Sequence, residues 1–334
     1  MPSNEDQRKN APVEYGGELY VPINIASLRL DSVPSFSLFF QPGPEQPFVL
    51  YREKNTPFTP EALARLQENR VQVLYIRHKN RGDYYRYIEK HLDAILADPE
   101  ITVKEKADVL YNSAQAVVED VLDNPPSREH IRRSKQVVHH TVDFMKAESF
   151  LLEDFLRTIS CDYFLYTHSV NVVSYSLALA LQAGVSDAAT LRELANGALL
   201  HDVGMSTVPE YLVTKTGPLS PAEWDLIRRH PLEGYRLMGE TGNLGEIALS
   251  IVRHHHEKLD GTGYPDRLKG DDLSQFVRIV SIANVFDAMT TDRAYKERRS
   301  TFDALTVMRE AMRPELDQDL VKLFVEMMGA RQRF

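Results

Sequence analysis

The chain has 334 residues, a formal net charge of −9 and 43% hydrophobic residues, enough for about two domains with buried cores. The acidic balance excludes a nucleic-acid polymer as the main partner, and no run approaches the roughly 18 consecutive apolar residues of a membrane-inserted helix. A single cysteine, Cys161, allows no internal disulfide, and the N-terminal stretch lacks the charged start and apolar run of a secretory signal, so a soluble, cytoplasmic protein is expected.

Residues 1–15 are polar and proline-containing and read as a disordered N-terminus. Over 16–80, Leu19 to Leu30, Ser35 to Gln41, Phe48 to Arg52 and Val71 to Ile76 are rich in β-branched and aromatic residues and read as strands, while Thr59-Pro60 starts a helix. This is a small α+β module without a chemical motif, a sensing or interaction unit for signalling partners. Over 81–154 the period turns helical: Tyr84, Ile88, Leu92 and Ile95 form one stripe, and Ala107, Leu110, Ala114, Val117 and Val121 a second. After the break at Asn124-Pro125-Pro126, Ser127 caps a third helix carrying Val137, Val138, Thr141 and Met145. These read as linking helices, the longest suited to pair with its copy in a homodimer. His139 and His140 have only Asp143 near them and read as a solvated helix face.

The chemistry lies in the remainder. Leu191, Leu194, Ala198 and His201 recur at helical spacing, as do His168, Val172, Tyr175 and Leu179, so both imidazoles fall on apolar faces. Ser220-Pro221-Ala222-Glu223 reads as a capping box, and its helix is expected to end near His230, before Pro231. From Leu244 to His256, the residues Ile247, Ile251, Val252 and His255 make a stripe that delivers His255 and His256 at a helix end. One histidine on an apolar stripe is ordinarily a core residue; five, with Asp202 directly after His201, predict a metal site. Neutral imidazoles bind borderline transition metals through nitrogen, and a carboxylate adds charge and can span two ions.

The runs His201-Asp202-Val203-Gly204, His230-Pro231 with Gly234, and His255-His256-Glu257 with Asp260-Gly261 and Gly263-Tyr264-Pro265 resemble the HD-GYP domain family. The likeness continues from Ile279 to Lys296 and covers about 155–330, within a domain expected over 155–334. It implies a mainly α protein: an all-helical HD-type metal-dependent phosphohydrolase core behind the α+β module and its linking helices. It further implies a phosphodiesterase of the bacterial second messenger cyclic di-GMP, with two divalent transition-metal ions, iron or manganese. Carried over by position, His168, His201, Asp202 and residue 284 hold one ion. His230, His255 and His256 hold the other, with Asp202 bridging. Arg293 and Lys296 then contact substrate, and Tyr264 borders the pocket. Glu257 and Asp260 read as acceptors that orient the imidazoles.

Three positions depart from the family pattern. Met205 replaces a usual lysine, Asn284 a usual aspartate, and Phe164 the glutamate that in some members holds a third metal. The expected activity is therefore slow hydrolysis with pGpG accumulating ahead of GMP. Two other classes stay open: a cyclic di-GMP-binding protein with little or no turnover, and an interaction scaffold.

Overall fold

The computed structural model describes residues 12–30, 32–43, 46–124, 127–147, 165–242, 244–292 and 298–330. Phe164, Arg293 and Lys296 lie outside the described residues, as does the stretch 1–11. By its internal contacts the chain divides into two units, Met1–Ser113 and Ala114–Phe334. The protein is mainly α-helical with one small sheet, and no described helix is long and apolar enough to cross a membrane.

In the first unit, strands β1 (Val13–Tyr15), β2 (Glu18–Asn24), β3 (Leu38–Phe40), β4 (Val49–Arg52) and β5 (Val73–Arg77) form an antiparallel sheet of order β1-β2-β5-β3-β4. Alternation puts Ile23, Leu74 and Ile76 in the core. The other elements are α1 (Pro60–Glu68), capped by Thr59, and α2 (Arg81–Ala97). Three expectations change. Val13–Tyr15 pairs with Glu18–Tyr20, so order begins before Gly16 rather than after it. The run Leu19 to Leu30 is not one strand, because the Asn24 side chain accepts from the Ala26 N–H and turns the chain into a 3-10 turn at Ile25–Ser27. Ser35 to Gln41 keeps only Leu38–Phe40 as strand, since Phe36 leaves the pleat to pack edge-on against Tyr84 and Tyr87.

Helix α3 (Val103–Asp123) runs across the division between units. The second unit continues with α4 (Arg128–Ala147), α5 (Leu165–Gln182), α6 (Ala188–Leu200), the short α7 (Glu210–Val213), α8 (Pro221–Ile227) and α9 (His230–Thr241). It ends with α10 (Glu246–His254), α11 (Gln275–Thr290), α12 (Thr301–Glu310) and α13 (Gln318–Ala330). Helix α5 is buried on every side from Thr167 to Ala180, a central core helix rather than an amphipathic one. It packs against α6 and α11, and α6 packs against α10. Helix α8 begins with the expected capping box, the Ser220 hydroxyl on the Glu223 N–H and the Glu223 carboxylate on the Ser220 N–H. It ends at Ile227, and His230 opens the next helix instead of closing this one. Pro231 fits the observed start, because it needs no N–H partner in the first turn of a helix.

Candidate metal centre

Three histidines reach the centre from helix ends by one local device. The last carbonyls of a helix lack intrahelical N–H partners. The Nδ1–H of His201 donates to the Ala198 carbonyl (2.8 Å), that of His230 to Ile227 (2.8 Å) and that of His255 to Val252 (3.1 Å). Each bond runs three residues back, satisfies an orphan carbonyl and turns Nε2 towards the centre, where those of His230 and His255 lie 3.2 Å apart. Those Nε2 atoms converge on Asp202: His201 lies 3.3 Å and His168 3.8 Å from Oδ2, while His230 lies 3.1 Å and His255 3.6 Å from Oδ1. Oxygens of a single carboxylate thus face two separate sets of imidazoles.

Backbone approach makes this possible. The turn Val203–Thr207 lies against α9 so closely that a Cβ on Gly204 would sit 2.0 Å from the His230 carbonyl oxygen. Only glycine fits there, which ties the residue after His201-Asp202-Val203 to the start of the His230 helix. On the other side, the Ser281 hydroxyl of α11 donates to the His255 carbonyl at 2.9 Å and fixes the end of α10.

His168 is placed differently. It lies within α5 rather than at the end of a helix, and its Nδ1 takes a side-chain acceptor. Asp287 of α11 provides it at 2.6 Å, and the other oxygen of Asp287 accepts from Asn171 Nδ2 at 2.8 Å. Asp287 is fully buried. Asn284 is also buried and precedes it by three residues, on the same side of α11.

The donor set fits divalent transition metals. His168, His201 and Asp202 form one group and Asp202, His230, His255 and His256 a second, each with its ligand atoms within 4.8 Å of one another. The Nε2 of His201 is fully buried and has no hydrogen-bond partner, an orphaned lone pair of the kind a cation satisfies. Burial pushes the Asp202 carboxyl up, but the imidazoles of His201, His230 and His255 outweigh it and hold the pKa well below the usual range. Burial lowers the His255 pKa to about 4, and burial with the neighbouring His255 and His230 lowers that of His256 well below the ordinary value. For His201, burial works against the charged ring, and the adjacent Asp202 reverses the balance to a raised pKa. An ionised Asp202 beside His255 and His256, both held towards the neutral ring, is the charge state that ligation by this second group requires.

Tyr264 borders the centre, its ring stacked on His256 at 4.8 Å and 22°. Glu257 and Asp260 do something other than orient imidazoles. Glu257 is buried and accepts from the backbone N–H groups of Asp266, Arg267 and Leu268, and Asp260 accepts from the N–H and hydroxyl of Thr262. Both carboxylates are consumed in building the loop that carries Tyr264, a loop too tight to leave many of its N–H groups to solvent. Gly263 completes it, because a Cβ there would lie 2.5 Å from Glu257 Cα. Met205 sits in the 3-10 turn after Asp202. His139 pairs with Asp143 at 3.3 Å on an exposed face, away from both metal-competent groups. Asp287 is the residue that sequence reading missed; its place one turn after Asn284 on an apolar helix was the available signal.

The family model described as HD domain matches residues 154–320, half of the chain. The chain belongs to the HD domain family. Within it, the His255-to-Pro265 run makes this an HD domain of the HD-GYP kind. A cyclic di-GMP phosphodiesterase of Pseudomonas aeruginosa is 34% identical over 174 residues, covering 52% of this chain and 42% of that protein. A 3'3'-cGAMP-specific phosphodiesterase of Vibrio cholerae is 34% identical over 152 residues, covering 46% of this chain and 33% of its own length. The HD domain chain thus spans less than half the length of these relatives. Among solved structures, an HDG"Y"P protein from Bdellovibrio bacteriovorus superposes with a TM-score of 0.64 at 24% identity, covering 93% of this chain and 99% of that one, a likeness of fold.

Proposed function

We propose that this HD domain protein is a cytoplasmic, metal-dependent phosphodiesterase that opens cyclic di-GMP to pGpG. The observation that carries the reading is Asp202, with Oδ1 facing His230 and His255 and Oδ2 facing His201 and His168, an arrangement suited to spanning two ions. The names of the sequence relatives favour a cyclic dinucleotide over other phosphodiesters.

His168, His201 and Asp202 would hold one ion, with Asn284 a weak neutral ligand; Asp202, His230, His255 and His256 would hold the other. Iron or manganese suits this imidazole-rich set. Such ions, when bound, polarise the phosphoryl oxygens and lower the pKa of water towards about 7, which supplies a nucleophile without a side chain. The chain's own part is orientation and charge. The three backbone-anchored imidazoles and Asp287-anchored His168 are aimed before substrate arrives, so little reorganisation accompanies the reaction. Burial of the cluster keeps bulk water from competing for the phosphate. Tyr264 would border the sugar-phosphate ring, and Arg293 with Lys296 would meet its phosphates and guanines.

The test is anaerobic reconstitution with Fe(II) or Mn(II), incubation with cyclic di-GMP and chromatography of products, with Asp202→Asn as control. The proposal expects pGpG to accumulate ahead of GMP and the control to be silent. A second reading, a receptor with little turnover, is favoured by the neutral Asn284 and by Met205. Calorimetric binding without any pGpG or GMP would select it, and loss of both metal and ligand binding would select a scaffold. Light scattering of the purified chain tests the homodimer.

A further inference from the structure

The loop of Tyr264 leads outward from the metal cluster to a cation that the centre itself does not use. The guanidinium of Arg228 lies over the Tyr264 ring at 5.1 Å and over the Trp224 ring at 5.9 Å. Trp224 and Arg228 are one turn apart on α8, joined by the Arg228 N–H to the Trp224 carbonyl at 2.9 Å, so both project from the same face. The helix itself is pinned at its start by the capping box and by Lys215, whose ammonium meets both oxygens of Glu223. Among the described residues, the Arg228 guanidinium makes no hydrogen bond or ion pair, and Trp224 is 42% exposed. An arginine oriented by two aromatic faces with its donor edge free, beside an open indole, resembles a recognition element more than a stabilising one.

We propose that Trp224 and Arg228 form a guanine subsite of the active centre, an inference that rests on the cyclic dinucleotide reading. Trp224 is the stacking platform, because every base has a π face. Arg228 presents its paired N–H groups to the O6 and N7 of guanine. Arginine carries donors only, so it suits the two acceptors on that edge and opposes adenine, which offers one acceptor and one donor there. The path from His256 through Tyr264 and Arg228 to Trp224 consists of three ring contacts, none longer than 5.9 Å, so one bound dinucleotide can reach the metals and this subsite together.

Trp224 is the single tryptophan of the chain, so its emission reads the subsite directly. Metal-loaded protein is mixed in a stopped-flow instrument with cyclic di-GMP or cyclic di-AMP, which reads binding ahead of turnover. Cyclic di-GMP is expected to quench the emission and to bind at least about tenfold more tightly than cyclic di-AMP. Arg228→Met is expected to weaken cyclic di-GMP by about 10- to 100-fold, to remove most of the preference and to leave metal content unchanged; Arg228→Lys, which lacks the planar donor pair, should not restore the preference. Equal weakening of both ligands would assign Arg228 to a phosphate and overturn the base-reading role, and unchanged affinities would overturn the subsite. Binding seen by calorimetry without quenching would remove Trp224 from it. Failure of the unaltered protein to bind either dinucleotide would instead sink the cyclic dinucleotide reading, and the subsite with it.

Discussion

Asp287 accepts a hydrogen bond from His168 across 119 residues of sequence, at 2.6 Å, with both side chains buried. A carboxylate on the far nitrogen of a ligating imidazole fixes its tautomer and raises its basicity. Asp287→Asn is expected to weaken binding of an ion held by His168, His201 and Asp202 by about 10- to 100-fold while sparing one held by His230, His255 and His256. Titration with Mn(II) followed by electron paramagnetic resonance separates the two affinities. Equal loss at both would mean that Asp287 supports the fold rather than His168.

Asn284 shares a face of α11 with Asp287 but brings no charge. If position 284 belongs to the ligand set, as proposed, Asn284→Asp adds an anionic oxygen ligand to it, and changes even one step further from a metal shift affinity by about tenfold or more. The variant should bind its first ion at least about tenfold more tightly and turn over faster, measured by metal titration and product chromatography. No change in either would remove position 284 from the ligand set.

Gly204→Ala tests the approach of the Asp202 turn to α9. Its Cβ would meet the His230 carbonyl at 2.0 Å and the Gly234 nitrogen at 2.6 Å, backbone atoms that cannot swing aside. Forced separation should cost about 1–3 kcal/mol or more and move His230 off Asp202. Urea unfolding and metal content report the two effects; a stable, metal-replete variant would show the contact to be soft.

In the other unit, Asp108 of α3 is raised to about 6, chiefly by burial, against the pull of Lys104 and with a push from Glu105. Because the folded-state pKa is above the unfolded one, the folded chain holds its proton longer, and stability falls as pH rises from about 4 to 6, then stays level. A rise from 3.8 to about 6 corresponds to about 3 kcal/mol, which partial exposure reduces to about 1–2. Asp108→Asn should therefore gain stability over the native chain across that window and keep the gain at pH 7. Urea unfolding at a series of pH values checks this, and parallel curves for the two proteins would refute it.

The sequence by itself determined the helical class of the second unit, the capped start of α8, and the identity of the histidines with Asp202. Each of these is written locally: in the 3.6-residue period, in a four-residue capping pattern, or in a short run of residue types that local physics places at helix ends. Tertiary structure decided the rest. Glu257 and Asp260 stand beside the histidine pair in sequence, yet the tight loop needed acceptors for its own N–H groups and took them. Asp287 stands 119 residues from His168, and only the packing of α11 on α5 made it the partner of that imidazole. The two-sided use of Asp202 is likewise a property of the packing, since the four Nε2 atoms that face it come from α5, from the ends of α6 and α10 and from the start of α9, and no local pattern specifies how those elements meet.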